Sequence, residues 1–296
     1  MFREDHNTYI NQTKAHSLKR GRTFVAHQGS TSKLTVSIVG GAGKMGLLLA
    51  RILKDKVQSV RIASRDDRRA DEAAGSLGVD WIPLEEAHKS TIIVVSVPID
   101  QTASVCQRIG RKMEARSLLI DLASVKTGIT DLIAKNTPDR IEYLSLHPLF
   151  GPQVKTIKGK RCIAIAARGG PITEEFMKIL TECGATVTKS TIEEHDKAMA
   201  AIQVLHHHAL LTFSSTLNRI AFDLKFPRYV TESLERTLQN LESMQENWET
   251  ISSIQKRNPY AQKVREAFAE SANELATFND NLKTNLQRAV SLLRSP

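Results

Sequence analysis

No stretch of the chain approaches the roughly 20 consecutive apolar residues that a membrane-spanning helix needs, so no membrane association is expected. Cysteine is scarce: Cys106, Cys162 and Cys183 are scattered with no CxxC spacing. That odd, unpatterned set argues against a disulfide framework or a thiolate metal site and fits reduced thiols in the cytoplasm. Two tryptophans and four tyrosines leave little aromatic surface for stacking on bases, and no nucleic-acid-binding motif is present. The net charge of +9 is therefore not read as a nucleic-acid signal. Its basic residues are dispersed, denser only over Lys14 to Arg22 and Arg65 to Arg69, and an anionic small substrate with a phosphate-bearing cofactor accounts for the excess. The first 33 residues are polar and lack an apolar h-region, while Glu4 and Asp5 argue against an organellar transit peptide; a disordered tail is predicted over 1–33.

What is present is ordinary for a globular protein: 296 residues, 41% hydrophobic and 25% charged, enough for two domains. Short β-branched runs predict strands over Leu34–Val39, Val60–Ala63, Thr91–Val97, Leu118–Leu122, Tyr143–Leu146, Cys162–Ala166 and Ala185–Thr188. Amphipathic stretches between them, such as Lys44–Lys54, Arg69–Leu77 and Thr173–Cys183, predict helices, and the alternation implies a mostly parallel, doubly wound α/β sheet over 34–190. After Thr191 the strand signal stops. Helices are predicted over Glu193–Ala221, about Tyr229–Lys256 and from Pro259 onward, making residues 191–296 an all-helical domain. In the last stretch Val264, Phe268, Leu275, Phe278, Leu282 and Leu286 form an apolar stripe that needs burial, within the domain or against a second subunit.

The run Gly41-Ala42-Gly43-Lys44-Met45-Gly46 fits G-x-G-x-x-G directly after a predicted strand and at a helix start. Gly41 suits the tight turn, Gly43 a close approach of pyrophosphate, and Gly46 helix–strand packing, while the helix N-terminus favours phosphate charge. The second strand ends at Ser64-Arg65, where an acidic residue would read the ribose hydroxyls of NAD; a hydroxyl and a guanidinium suit a 2′-phosphate, so NADP is expected, with NAD read by Asp66 as the alternative. Val97-Pro98 turns the next strand away and leaves backbone near the nicotinamide side. Ser124 and Lys126 follow a further strand, and His147 ends the apolar strand before Pro148-Leu149-Phe150-Gly151-Pro152. Alone, such a histidine would be read as structural. Beside Ser124, Lys126 and a cofactor loop at the carboxyl ends of strands, it is a candidate base.

These spaced motifs, with Val95-Ser96-Val97-Pro98-Ile99, Asp121 to Lys126, Glu194-His195-Asp196 and Ala201 to His207, resemble the prephenate dehydrogenase family, which includes arogenate dehydrogenases. The resemblance runs from Gly40 to about His208. It implies a Rossmann domain joined to an all-helical dimerisation domain, a homodimer, and NAD(P)-dependent oxidative decarboxylation in tyrosine biosynthesis. It also implies His147 as the base, Ser124 as its hydroxyl partner and His207 as a second active-site histidine. Successive helical side chains diverge by about 100°, so His206, His207 and His208 are not expected to share a metal ion, and at most one should face the site. Lys126 is expected to attract the anionic substrate, unless it is a surface lysine. One departure stands out: Ser253 occupies the position where the family has a substrate-binding arginine, leaving Arg236 or Arg257 as replacement. The short N-terminal tail is not expected to hold a fused chorismate mutase. Two rival readings are another NADP-dependent reductase of the deazaflavin-linked type and a non-catalytic cofactor sensor. The His147 motif and the helical tail speak against the first, and the joint presence of Ser124, His147 and His207 against the second.

Overall fold

The computed structural model describes residues 32–220, 226–277 and 281–294. The tail expected over 1–33 lies outside the described residues except for Ser32 and Lys33, which already belong to the first strand. Eight strands follow in chain order: β1 (Ser32–Val39), β2 (Val57–Ser64), β3 (Asp80–Pro83), β4 (Ile92–Val95), β5 (Leu118–Asp121), β6 (Glu142–Pro148), β7 (Arg161–Arg168) and β8 (Thr186–Lys189). They form one sheet in the order β3-β2-β1-β4-β5-β6-β7-β8. Every pairing from β3 through β6 is parallel, β7 runs antiparallel to β6, and β8 is parallel to β7.

The helices α1 (Lys44–Leu53), α2 (Asp67–Leu77), α3 (Ile99–Gly110), α4 (Thr130–Asn136) and α5 (Pro171–Glu182) cover both faces. On one face Val36 and Ile38 of β1 and Val94 of β4 pack with Leu49 and Leu53 of α1 and Phe176 and Leu180 of α5. On the other, Val39, Ile93, Val95 and Leu119 pack with Cys106 and Ile109 of α3 and Ile133 of α4. Strands buried on two faces read as unbroken apolar runs, which is why β1, β4 and β5 were legible. The missed strand is β3: its Asp-Trp-Ile-Pro is short, lies at the sheet edge and carries a proline tolerated only there. The expected strand Thr91–Val97 contracts to Ile92–Val95, the Ser96 N–H to Val39 O bond closing its ladder with β1.

Strand order reverses between β1 and β4, so their carboxyl ends open a crevice where doubly wound sheets take ligands. Beyond Lys189 the described residues are helical: α6 (Ile192–Met199), α7 (Leu205–Arg219), α8 (Glu232–Glu246), α9 (Trp248–Arg257), α10 (Ala261–Glu274) and α11 (Asn281–Arg294). The single helix expected over Glu193–Ala221 is α6 and α7 joined by a π-helical segment, Ala200–Val204; Ala221 lies outside the described residues. The helix expected over Tyr229–Lys256 begins only at Glu232, capped by Thr231, and is interrupted at Asn247. Pro259 is not a helix start. It sits in a turn in which Asn258 Oδ1 accepts from Tyr260 N, and α10 begins at Ala261. Among the described residues no helix is long and apolar enough to cross a membrane.

The apolar stripe of the C-terminal helices is only partly covered. Val264 and Phe268 line an apolar groove of about 540 Å³ with Leu205 and Tyr260, whereas Leu275 and Leu286 are exposed. Phe278 lies outside the described residues.

Candidate active site

The glycine loop closes the end of β1, but the tight turn falls one residue earlier than the sequence suggested. Gly40, not Gly41, has the left-handed φ of +75°, and a Cβ there would stand 2.3 Å from Ser96 O. Gly41 is needed for packing, since its Cβ would meet Ile38 O at 2.7 Å and the Ile62 side chain at 2.9 Å. At Gly46 an added Cβ would lie 2.6 Å from Gly41 Cα, so the first turn of α1 presses against the loop. Gly43 is the N-cap of α1 and supplies no capping side chain, which leaves the N–H groups of Lys44, Met45 and Gly46 open to an anion. Val97 and Pro98 follow β4 beside this loop, Val97 Cγ1 lying 3.1 Å from the position of a Gly40 Cβ. A loop this close-packed, with an uncapped helix start at the switch point, fits a dinucleotide pyrophosphate. Gly46→Ala should lower stability by about 1–3 kcal/mol, because the contacted atoms are backbone and must move; urea titration with and without cofactor measures it.

At the tip of β2, Arg65 is exposed without an ion-pair partner among the described residues, while Asp66 caps α2 by accepting from Arg69 N. The carboxylate that was the alternative ribose reader is thus engaged in starting a helix.

His147 lies on β6, 3% exposed, at the wall of a cleft of about 560 Å³. Lys44, Met45 and Ser124 border the cleft from the cofactor side; Gln203, His206 and His207 border it from the π-segment and α7, and Asn240, Ser243 and Asn247 from α8 and the break after it. Ser124 and His147 share the cleft, but Ser124 does not orient His147. That partner is His195, whose Nε2 lies 2.9 Å from His147 Nδ1. His195 Nδ1 in turn meets Asp196 Oδ1 at 2.7 Å. Asp196 also accepts from the backbone N–H of Lys126 and Thr127, tying α6 to the loop after β5. Burial pushes the Asp196 carboxyl up, but hydrogen bonds from His195, Thr127 and Lys126 outweigh it and hold the group below its usual range. His147 is held well below the ordinary imidazole range, first by burial, then by the charges of Lys126 and His195, with Asp196 opposing them.

Four site expectations need correction. Lys126 does not face the substrate: it is 0% exposed, and its Nζ donates to Leu146 O at 3.1 Å and pairs with Asp121 at 3.5 Å. Arg257 does not reach the cleft wall; it pairs with Asp100 at 2.5 Å. Arg236 is exposed on α8 and also does not line the cleft. Ser253, at the position expected to carry arginine, is buried in α9. Nor is a single histidine of the triplet presented: both His206 and His207 border the cleft, while His208 packs edge-on against Phe268. The extra residue in the π-segment turns α7 relative to α6, which uniform helical spacing does not anticipate. Burial first, then the His206 charge, lowers His207 to about 4, so at neutral pH it offers hydrogen bonds rather than positive charge. Its Nδ1 and the Oε1 of Gln203 are buried without partners among the described residues, an arrangement suited to a polar ligand.

A Gly-rich loop at the switch point of a doubly wound parallel sheet, with a histidine-bearing strand end beside it, defines a Rossmann-type dinucleotide-binding protein. A family model described as the nucleotide-binding domain of prephenate dehydrogenase matches residues 49–162. The "Probable arogenate/prephenate dehydrogenase" of Methanocaldococcus jannaschii is 27% identical over 84% of this chain and 58% of its own length. The "T-protein" of Haemophilus influenzae is 28% identical over 62% of this chain and 44% of its own length. This chain therefore spans about half the length of those two relatives. Among solved structures, prephenate dehydrogenase from A. aeolicus, in complex with hydroxyphenyl propionate and NAD+, has the same fold with a TM-score of 0.72 at 16% identity, covering 90% of this chain and 96% of that one. The likeness to prephenate dehydrogenases is thus one of sequence over the nucleotide-binding region, residues 49–162, and of fold over most of the chain.

Proposed function

We propose that the protein is a nicotinamide-dinucleotide-dependent dehydrogenase that oxidatively decarboxylates prephenate or arogenate, the products being 4-hydroxyphenylpyruvate or tyrosine. The observation that carries this reading is His147, its Nδ1 engaged by His195, at the wall of a cleft that runs to the glycine loop. His147 Nε2 accepts the proton of the substrate's ring hydroxyl, and Ser124, which borders the same cleft, hydrogen-bonds the same oxygen. The bound nicotinamide supplies a hydride acceptor, and loss of the ring carboxylate as CO2 makes the ring aromatic. Gly40, Gly41, Gly43 and Gly46, with the N–H groups of Lys44 and Met45, would hold the pyrophosphate, and Val97 and Pro98 would flank the nicotinamide side. Purified protein with NADP or NAD and each of the two acids, followed by absorbance of reduced cofactor, tests the assignment. No turnover of either acid would overturn it.

We favour NADP over NAD because Arg65 is exposed, with no ion pair among the described residues, where Asp66 is spent on the α2 cap. Ser64 lies beside Arg65 at the strand tip and can share the 2′-phosphate. Arg65→Ala should then raise the NADP Michaelis constant about ten- to a hundredfold, as for loss of a charged hydrogen bond, with little change for NAD. A wild-type preference for NAD would transfer the ribose contact away from Arg65.

For the substrate carboxylates, the cleft's only fixed cation among the described residues is Lys44, which pairs with Glu246 at 3.2 Å. The groove lined by Leu205, Val264 and Phe268, with Leu286, Val290, Leu292 and Leu293 exposed on α11, supports a homodimer through the helical region. The three free cysteines are in keeping with a cytoplasmic enzyme.

A further inference from the structure

Two buried residues take no part in the reaction as described above. His195 and Asp196 come from the start of the helical region, yet they reach across to the base on β6: His195 is 2% exposed and Asp196 is 0% exposed. Their hydrogen bonds form a chain, Asp196 Oδ1 to His195 Nδ1 at 2.7 Å and His195 Nε2 to His147 Nδ1 at 2.9 Å. The far end of the chain is firmly placed. Asp196 receives backbone N–H groups of Lys126 at 3.0 Å and Thr127 at 2.7 Å, and its own carbonyl takes Asn258 Nδ2 at 2.9 Å.

We propose that His195 and Asp196 are positioning residues that fix the tautomer of His147, keeping Nδ1 protonated and Nε2 bare toward the cleft; this rests on the reading of His147 as the base. The logic runs from the acceptor end. A carboxylate that already takes two backbone N–H groups requires a donor from His195, so the Nδ1 of His195 carries hydrogen. Its Nε2 is then the acceptor, and His147 must donate through Nδ1. An imidazole that donates through one nitrogen presents the other as a lone pair, which is the form a general base needs. When His147 gains the substrate proton at Nε2, its Nδ1–H points into an acceptor whose own N–H ends on a carboxylate, so the new charge is stabilised without any group having to move. The other charged group near His147 is Lys126, held behind it by Leu146 O and Asp121; it disfavours the imidazolium, which makes the opposing carboxylate at the end of the chain more consequential.

Ring-¹⁵N-histidine NMR of the full chain, with His147 assigned by its absence in His147→Asn, reads the tautomer directly and requires no substrate. The expected spectrum has His147 protonated at Nδ1; protonation at Nε2 would overturn the proposal. Kinetics supply the second arm. His195→Leu keeps bulk but removes the acceptor, and should lower kcat by about ten- to a hundredfold, within the 10²–10⁴ that a general base supplies, with KM and cofactor affinity nearly unchanged. His195→Gln restores an acceptor through its amide oxygen and should recover most of that loss. Wild-type kcat in His195→Leu, or no recovery in His195→Gln, would count against the chain. A protein that turns over neither acid fails the proposed function, while the tautomer spectrum still decides this proposal.

Discussion

His147→Asn is expected to lower kcat by about two to four orders of magnitude while cofactor affinity stays close to wild type. The separation follows from where the two functions sit. The dinucleotide loop is held by backbone contacts among Gly40, Gly41, Gly46 and Ser96, none of which involves the His147 side chain. Asparagine preserves a polar group on β6 but cannot accept a proton near neutral pH, so the loss falls on the chemical step. The same site fixes a pH dependence. Burial, reinforced by the Lys126 charge, moves His147 well below its ordinary 6.5, so the neutral form persists as pH falls through 6.5. The acid limb of kcat/KM due to this group should therefore lie well below pH 6.5, with no His147 contribution above it. An acid limb centred at or above 6.5 that disappears in His147→Asn, or wild-type turnover by that variant, would remove His147 in this state from the mechanism.

How much of this was legible in the sequence differs from element to element, for physical reasons. β1, β4, β5 and β6 are apolar because both sheet faces are covered, so their runs announced themselves. The edge strand β3 did not, because Asp80 and Pro83 bracket only two apolar residues. The break at Asn247 and the π-segment Ala200–Val204 were invisible because both preserve enough helical periodicity to read through. In the site, His147, Ser124 and the glycine loop were recognisable from their places at strand ends. Gly40 was passed over in favour of the G-x-G-x-x-G pattern, although its positive φ makes it the most constrained residue of the loop. His195 and Asp196 were visible only as a family motif without a role. Their partners are 48 and 70 residues away in the chain, and no local pattern encodes such a contact. No arginine lines the cleft among the described residues, and Ser253, where the resemblance led us to expect one, is buried in α9.

Lys126 was misread for a general reason: lysine is almost never fully buried, so a lysine near a candidate site is taken as facing the ligand. Here it is part of the scaffold behind the site. Its ammonium donates to Leu146 O, the residue before the base, and pairs with Asp121, which also accepts from Tyr143 OH at 2.8 Å and Ala123 N at 2.8 Å. The cluster thus joins the end of β5, the loop carrying Ser124 and the strand carrying His147. Burial lowers the Lys126 pKa, and the Asp121 carboxylate opposes that shift, as expected for a charge kept inside by its counter-ion. Removing one partner of such a pair leaves the other buried and uncompensated, which costs about 3–5 kcal/mol. Lys126→Ala is therefore expected to lose stability on that scale in urea or guanidinium unfolding, because Lys126 is the only cation paired with Asp121 among the described residues. Lys126→Ala with Asp121→Ala in the same chain should lose less than the sum of the two single variants, since the unpaired charge is gone. A substrate-attracting lysine predicts the opposite pattern: a raised Michaelis constant, wild-type unfolding, and strictly additive effects with Asp121. Unfolding curves of the two single variants and the double variant separate the cases, and wild-type stability in Lys126→Ala would return Lys126 to the substrate side.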